Sequence, residues 1–402
     1  MKSTTNIAKI SSLLVLLFFA GCNQASPAEP ANPPSGPAHA QLAYVVDLGM
    51  NSQVYISNLL DSRQATAIEG DARGLHWSPN GQYLAWVAYQ HSTSQSSLWV
   101  IDADKIVTSI VPWTTDLLTY RWSPDSERIL VLQASSNSAN DKILAYTLFV
   151  STQQPAPTWF ESFPFHEFAN VTISPDWQYI AYVQDDDSIL TVRNQHGKTW
   201  NIHTLPSSTH RFKSLVWSPD GQWLGFSTGD IAQTQVFISR PNGEQFQELS
   251  PVADASGGYP IWSPDSQWLA YRALNQDYAH TQIFISHPAS QQLLELEPVT
   301  GIASNLTWSH SSSRLAFTLM DADDANQLCY LDIQTLETAP HCLQAVWAGE
   351  KLAWLSDDEW ILATNRVDKQ WDIYRMLLSG KTSKNLTQSD EIESDLALWI
   401  PD

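Results

Sequence analysis

Three stretches of this 402-residue chain carry residue types that could do chemistry. Gly225-Phe-Ser227-Thr-Gly229 fits the G-x-S-x-G pattern, in which a serine nucleophile sits on a sharp strand-to-helix turn. Asp185-Asp186-Asp187 and Asp321-Ala-Asp323-Asp324-Ala-Asn326 gather carboxylates as a calcium site would. Each needs an element to position it, and the elements argue against catalysis. Leu224-Gly-Phe226 reads as a strand that runs on into a loop at Ser227, with no helix after it. Neither acidic run has the central Gly and terminal Glu of a twelve-residue calcium loop, so both read as solvated turns. The eleven His show no H-E-x-x-H or other paired spacing, and no Gly-rich phosphate loop is present. The expectation is a protein without catalytic residues, cofactor or metal, with calcium the one cofactor its composition would suit.

Charge narrows the partners. Only 16% of residues are charged, yet 42 are acidic against 21 Lys and Arg, a formal net charge of −21. Such a surface repels nucleic-acid phosphates and anionic headgroups, and it steers basic groups inward. Hydrophobic residues make up 43%, enough for a substantial core.

The first 21 residues read as an export signal. Lys2 and Lys9 precede an apolar run from Ile10 to Ala20, too short to cross a bilayer at about 20 residues per span. Phe19-Ala20-Gly21-Cys22 resembles the lipobox of bacterial lipoproteins, with Phe where Leu is usual. That resemblance implies acylation of Cys22 and a lipid anchor in the cell envelope. Asn23, in place of Asp, implies the outer membrane, facing the periplasm. Residues 23–40 hold five Pro and almost no bulky apolar side chain, as a semi-extended tether does. Loss of Lys2 and Lys9 leaves 19 basic against 42 acidic side chains, a formal −23.

A repeat organises residues 41–402. An aromatic anchor, then Ser-Pro-Asp or a close relative, then an apolar run recurs at Trp77, Trp122, Ile173, Trp217, Trp262, Trp308, Trp354 and Trp399. Successive anchors lie 45, 51, 44, 45, 46, 46 and 45 residues apart. Ser-Pro-Asp-Gly is turn chemistry, with Pro presetting the second position. The turn joins a strand ending in the anchor to one reading Leu-Ala-Trp or Ile-Ala-Tyr. Four short strands per unit of this length make a propeller blade. The segment from Gln41 to His76 lacks an anchor strand, and the C-terminus ends in one, Leu396-Ala-Leu-Trp399. The two ends are therefore expected to share a blade and close the ring. Eight anchors predict eight blades; seven is the alternative, if Trp347 rather than Trp354 is the anchor. Anchors are expected in the packing between blades. Trp99, Trp113, Trp159, Trp200 and Trp371 lie off that position and are free to serve as aromatic contact points.

Cys329 and Cys342 remain after Cys22. A hairpin centred between Thr335 and Leu336 places them opposite each other, so a cross-strand disulfide is expected in an oxidising compartment.

The recurring Trp-Ser-Pro-Asp-Gly motif resembles the TolB-like propeller family over roughly 90% of the chain. The resemblance implies an all-β propeller acting as an interaction scaffold, with Tol–Pal-like envelope proteins as partners. TolB has a globular domain ahead of its propeller, and a Pro-rich tether stands there here. The expectation is a non-catalytic monomer that binds a basic partner through charge and is held to the membrane only by its lipid. A carbohydrate- or peptide-binding module and an outer-membrane assembly factor are the alternatives, with a propeller enzyme third.

Overall fold

The computed structural model describes residues 40–48, 51–59, 62–66, 70–134, 142–156, 163–164, 171–184, 188–206, 210–230, 234–249, 256–274, 280–320, 326–333, 335, 339–347, 351–355, 358–367, 370–379, 383–387 and 392–400. The Cys22 tether, the carboxylates of both acidic runs and Trp159 lie outside them.

Every element is a strand, and the strands form eight antiparallel sheets arranged as an eight-bladed propeller. Blade 1 joins the two ends of the chain: Gln41–Asp47 pairs with Ser52–Ser57 on one side and with Ile392–Trp399 on the other. Blades 2 to 8 open with first strands Asp71–Trp77, Leu117–Trp122, Val171–Ile173, Arg211–Trp217, Ser256–Trp262, Ile302–Trp308 and Leu352–Trp354. First strands touch in the seams between blades 1 and 2 and from blade 4 through blade 8, as convergence on a central channel requires. In blades 3 and 6 the outermost strand is split into two short pieces on the same partner.

Trp354, not Trp347, is the anchor of blade 8. Trp347 ends the outer strand of blade 7, opposite Gln327, while Trp354 ends the first strand of blade 8. This settles eight blades over seven.

The core is distributed. Eight buried clusters each span two adjacent blades, so every seam has its own. Alternation along each strand gives both faces of a blade an apolar stripe, and each stripe is buried against a neighbour. A large apolar side chain buried this way contributes about 1.5–3 kcal/mol. Closure lets blade 1 bury both faces as the others do.

Cys329 and Cys342 sit opposite one another on paired strands of blade 7 and are joined by a disulfide.

Candidate functional site

The repeat motif builds a single structural belt around the channel. Anchor indoles cross the seams: Trp122 Nε1 donates to the His76 carbonyl at 3.1 Å, Trp262 to Val216 at 3.3 Å, Trp308 to Ile261 at 3.2 Å and Trp354 to Thr307 at 3.1 Å. Trp217 reaches Thr172 at 3.4 Å, and Trp77 reaches Ala397 at 3.2 Å. In each case the acceptor lies on the first strand of the preceding blade. Blade 4 has Ile173 as its anchor and no indole there. Trp177, in the turn, supplies one instead, donating to the Trp122 carbonyl at 3.1 Å.

Each motif residue after the anchor has a task. The Ser hydroxyl is buried and caps the turn: Ser218 Oγ donates to Asp220 Oδ1 at 2.5 Å and accepts from the Trp223 amide at 2.9 Å. Asp220 Oδ1 also accepts from the Gln222 amide at 2.9 Å. The same set recurs at Ser174-Asp176 and Ser263-Asp265. The turn's fourth residue is left-handed throughout, with φ +68° at Gly81, +62° at Ser126, +60° at Trp177, +69° at Gly221, +63° at Ser266 and Ser312, and +53° at Asp358. For a non-Gly residue this costs about 1–2 kcal/mol. The serines offset it with a bond to the neighbouring blade: Ser126 Oγ accepts from the Asn80 amide at 3.0 Å, Ser266 from Asp220 at 2.9 Å, and Ser312 from Asp265 at 3.0 Å. The Asp358 carboxylate accepts from the Ser311 amide at 3.2 Å. These bonds link the turn of blade 2 to that of blade 3, and the turns of blades 5 to 8 in series, on one mouth of the channel.

This mouth is acidic. Asp125, Asp176, Asp220 and Asp265 occupy the same turn position in four consecutive blades, with Asn80 before them. One carboxylate oxygen of each is held in the turn. At Asp125 burial raises the pKa, but the hydrogen bonds from Ser123, the Glu127 amide and Arg128 outweigh it, so the net shift is downward. The Arg128 guanidinium lies 2.8 Å from its second oxygen. A Trp follows the turn in blades 5, 6 and 8. Arg240 stacks on Trp223 at 3.9 Å from the ring centre, Arg375 on Trp360 at 4.3 Å, and His287 meets Trp268 edge-on at 4.8 Å.

Thirteen and fifteen percent identity accompanies likeness in fold to two enzymes of known structure. A prolyl endopeptidase matches 80% of this chain with a TM-score of 0.57 and 13% identity. An oligogalacturonate lyase in complex with manganese matches 83% of this chain and 85% of its own, with a TM-score of 0.52 and 15% identity. This chain spans about half, 49%, of the peptidase's length. TolB from Acinetobacter baumannii is also similar, with a TM-score of 0.44 and 12% identity, over 89% of this chain and 82% of that one. No family model matches, and no curated protein matches. At these identities the likeness shows a β-propeller and nothing finer.

The candidates read from sequence fall as follows. Ser227 lies in the second strand of blade 5, Leu224–Gly229, and is fully buried. A Cβ placed on Gly258 of blade 6 would stand 3.0 Å from its Oγ, so the neighbouring backbone closes over it. No helix follows, and the serine has neither the exposure nor the turn a nucleophile needs. The anchors lie in the seams as packing residues. Trp99 and Trp113 pack against the cluster between blades 1 and 2. Trp200 lies beside Tyr179, centroids 6.4 Å apart, with the Lys198 ammonium 4.8 Å over it. Among the described residues no group of three His, Cys, Asp or Glu could hold a metal ion.

Two features escaped the sequence. Trp177 looked like an ordinary turn residue, although the missing Trp at position 173 was the signal that a substitute was needed. The left-handed fourth position was legible as Gly in blades 2 and 5, but Ser at 126, 266 and 312 concealed both the conformation and the bond to the next blade.

Proposed function

We propose that this protein is a non-catalytic scaffold of the bacterial cell envelope, anchored by lipid on Cys22 and facing the periplasm from the outer membrane. It works as a monomer and takes a protein partner with a basic patch, in a TolB-like manner, without metal or cofactor and without nucleic acid. The observation that carries this reading is the acidic turn mouth. Asp125, Asp176, Asp220 and Asp265 repeat one carboxylate at the same turn position, and bonds to a neighbouring turn hold the turns of Asp125, Asp220 and Asp265, on a chain of formal charge −21. A fixed array of like charges gains from an oppositely charged partner through steering and register, at little ordering cost. The test is affinity capture from the envelope with tether and lipid intact. Recovery of a basic envelope protein supports the scaffold. Recovery of nothing above background, together with a small-ligand hit, sinks it.

A further inference from the structure

In blades 5, 6 and 7 the innermost strand carries a β-bulge three or four residues before its anchor. Lys213 is the extra residue in blade 5, between Phe212 and Ser214. In blade 6, Tyr259 and Pro260 stand where the second strand has Tyr271 alone. In blade 7, Asn305 and Leu306 stand where it has Phe317 alone. A bulge turns a side chain out of the pleat, and bulges gather beside functional sites. The innermost strand ends each of these sheets, with its free edge toward the channel, and Tyr259 and Asn305 are exposed on it.

Tyr259 is held in a left-handed conformation, φ +57°, directly before Pro260. That is unfavourable for a bulky residue, and the following proline makes it more so. Blade 2 meets the same bulge with Gly74, at φ +62°, and blade 7 with Asn305, at φ +53°, a residue type that tolerates it. Burial does not repay the strain at Tyr259, because the residue is 38% exposed. Strain kept at an exposed aromatic points to a site that uses the ring.

Two cations flank it. Lys213 Nζ donates to the Asp230 carbonyl at 2.6 Å and to Thr234 Oγ1 at 2.7 Å. Thr234 lies against Gly258, where a Cβ would stand 2.9 Å from its Cγ2, so the ammonium is carried to the residue next to Tyr259. Arg272 is opposite Gly258 in the strand register and interacts electrostatically with Tyr259. Its Nη1 donates to the Ala303 carbonyl and to Ser304 Oγ, which places it beside Asn305. Asn305 Nδ2 donates to Thr318 Oγ1 at 3.0 Å, which fixes the amide and leaves Oδ1 to accept.

We propose that Tyr259, Lys213 and Asn305 form a saccharide site on the channel wall of blades 5 to 7, for a sugar ring that carries one carboxylate. The tyrosine ring offers a flat apolar face for the C–H side of the sugar. Lys213, with Arg272 behind it, meets the carboxylate, and Asn305 Oδ1 accepts from a hydroxyl. The three residues lie on the far side of the anchors from the turns, so the site does not rest on the partner assigned to the acidic mouth.

The test titrates the full chain with glucuronate, glucose and acetate as separate probes, read by calorimetry and by melting temperature. Glucuronate should bind at least roughly tenfold more tightly than glucose, which lacks the carboxylate, and than acetate, which lacks the ring. Tyr259→Gly relieves the left-handed strain, so it should melt no lower than wild type, yet bind glucuronate roughly tenfold more weakly or worse. Tyr259→Asn also tolerates that conformation and serves if the Gly variant does not fold. Lys213→Met should bind glucuronate and glucose alike. No binding of glucuronate, or equal binding by wild type and the Tyr259 variants, overturns the site. Acetate bound as tightly as glucuronate overturns the saccharide. A Tyr259→Gly protein that melts well below wild type overturns the proposal too, because the ring would then be structural.

Discussion

The indole of Trp399 donates to the carbonyl of Pro79, 3.0 Å away in the turn of blade 2. Every other anchor indole reaches back to the preceding blade, but this one reaches forward. Trp77 in turn donates to Ala397, so the seam between blades 1 and 2 is clasped from both sides. The seam between blades 8 and 1 holds an apolar cluster around Leu42, Tyr44, Leu362 and Ile373. The last strand of the chain is thereby locked to blade 2, across the closure point.

Gly81 is the residue that permits this clasp. It has φ +68°, and a Cβ there would overlap the Trp399 ring. Gly81→Ala should cost about 3 kcal/mol, from left-handed strain plus overpacking. At Gly221, of equal φ, the Cβ meets only the Asp176 carboxylate at 3.1 Å, so Gly221→Ala should cost less, about 1–2 kcal/mol. Denaturant unfolding of both variants checks the order. A double-mutant cycle of Gly81→Ala with Trp399→Leu should show coupling, because the smaller side chain removes the overlap.

Ser266 distinguishes conformation from bonding. Ser266→Gly relieves the left-handed strain but loses the bond from the Asp220 amide, and the two effects partly cancel. Ser266→Ala loses the bond and keeps the strain, so it should be the more destabilising by about 1 kcal/mol. Chemical denaturation measures the difference, and equal stability of the two variants would remove the turn-to-turn bond from the account.

His203 sets a pH dependence. Its ring stacks on Phe246 at 5.6 Å between centroids and lies 4.8 Å from Phe237, in the seam of blades 4 and 5. Burial lowers its pKa, and Glu248 only partly opposes this. A lowered folded value means the neutral ring is favoured in the fold. Its stabilisation is complete above about pH 6.5, the unfolded value, and is lost as pH falls toward the folded one. His203→Phe should therefore lose less melting temperature than wild type between neutral and mildly acidic pH. Parallel pH profiles of the two proteins would exclude the ring as the titrating group.

The sequence made the ring legible because each blade needs the same three things, an anchor, a capped turn and an apolar second strand. It showed closure because Leu396-Ala-Leu-Trp399 supplies the strand that Gln41–Asp47 lacks. The acidic mouth was legible only as a total charge, since the placing of Asp125, Asp176, Asp220 and Asp265 on one face follows from the ring.

The central claim, an acidic mouth that takes a basic partner, is tested most directly by capturing partners on the full-length protein across a salt series. A second protein carries Asp125, Asp176, Asp220 and Asp265 replaced by Asn, which keeps the turn acceptors and removes four charges. The account predicts a partner retained at low salt, released as ionic strength rises, and lost from the Asn protein even at low salt. Retention that is indifferent to salt and equal on both proteins would contradict it.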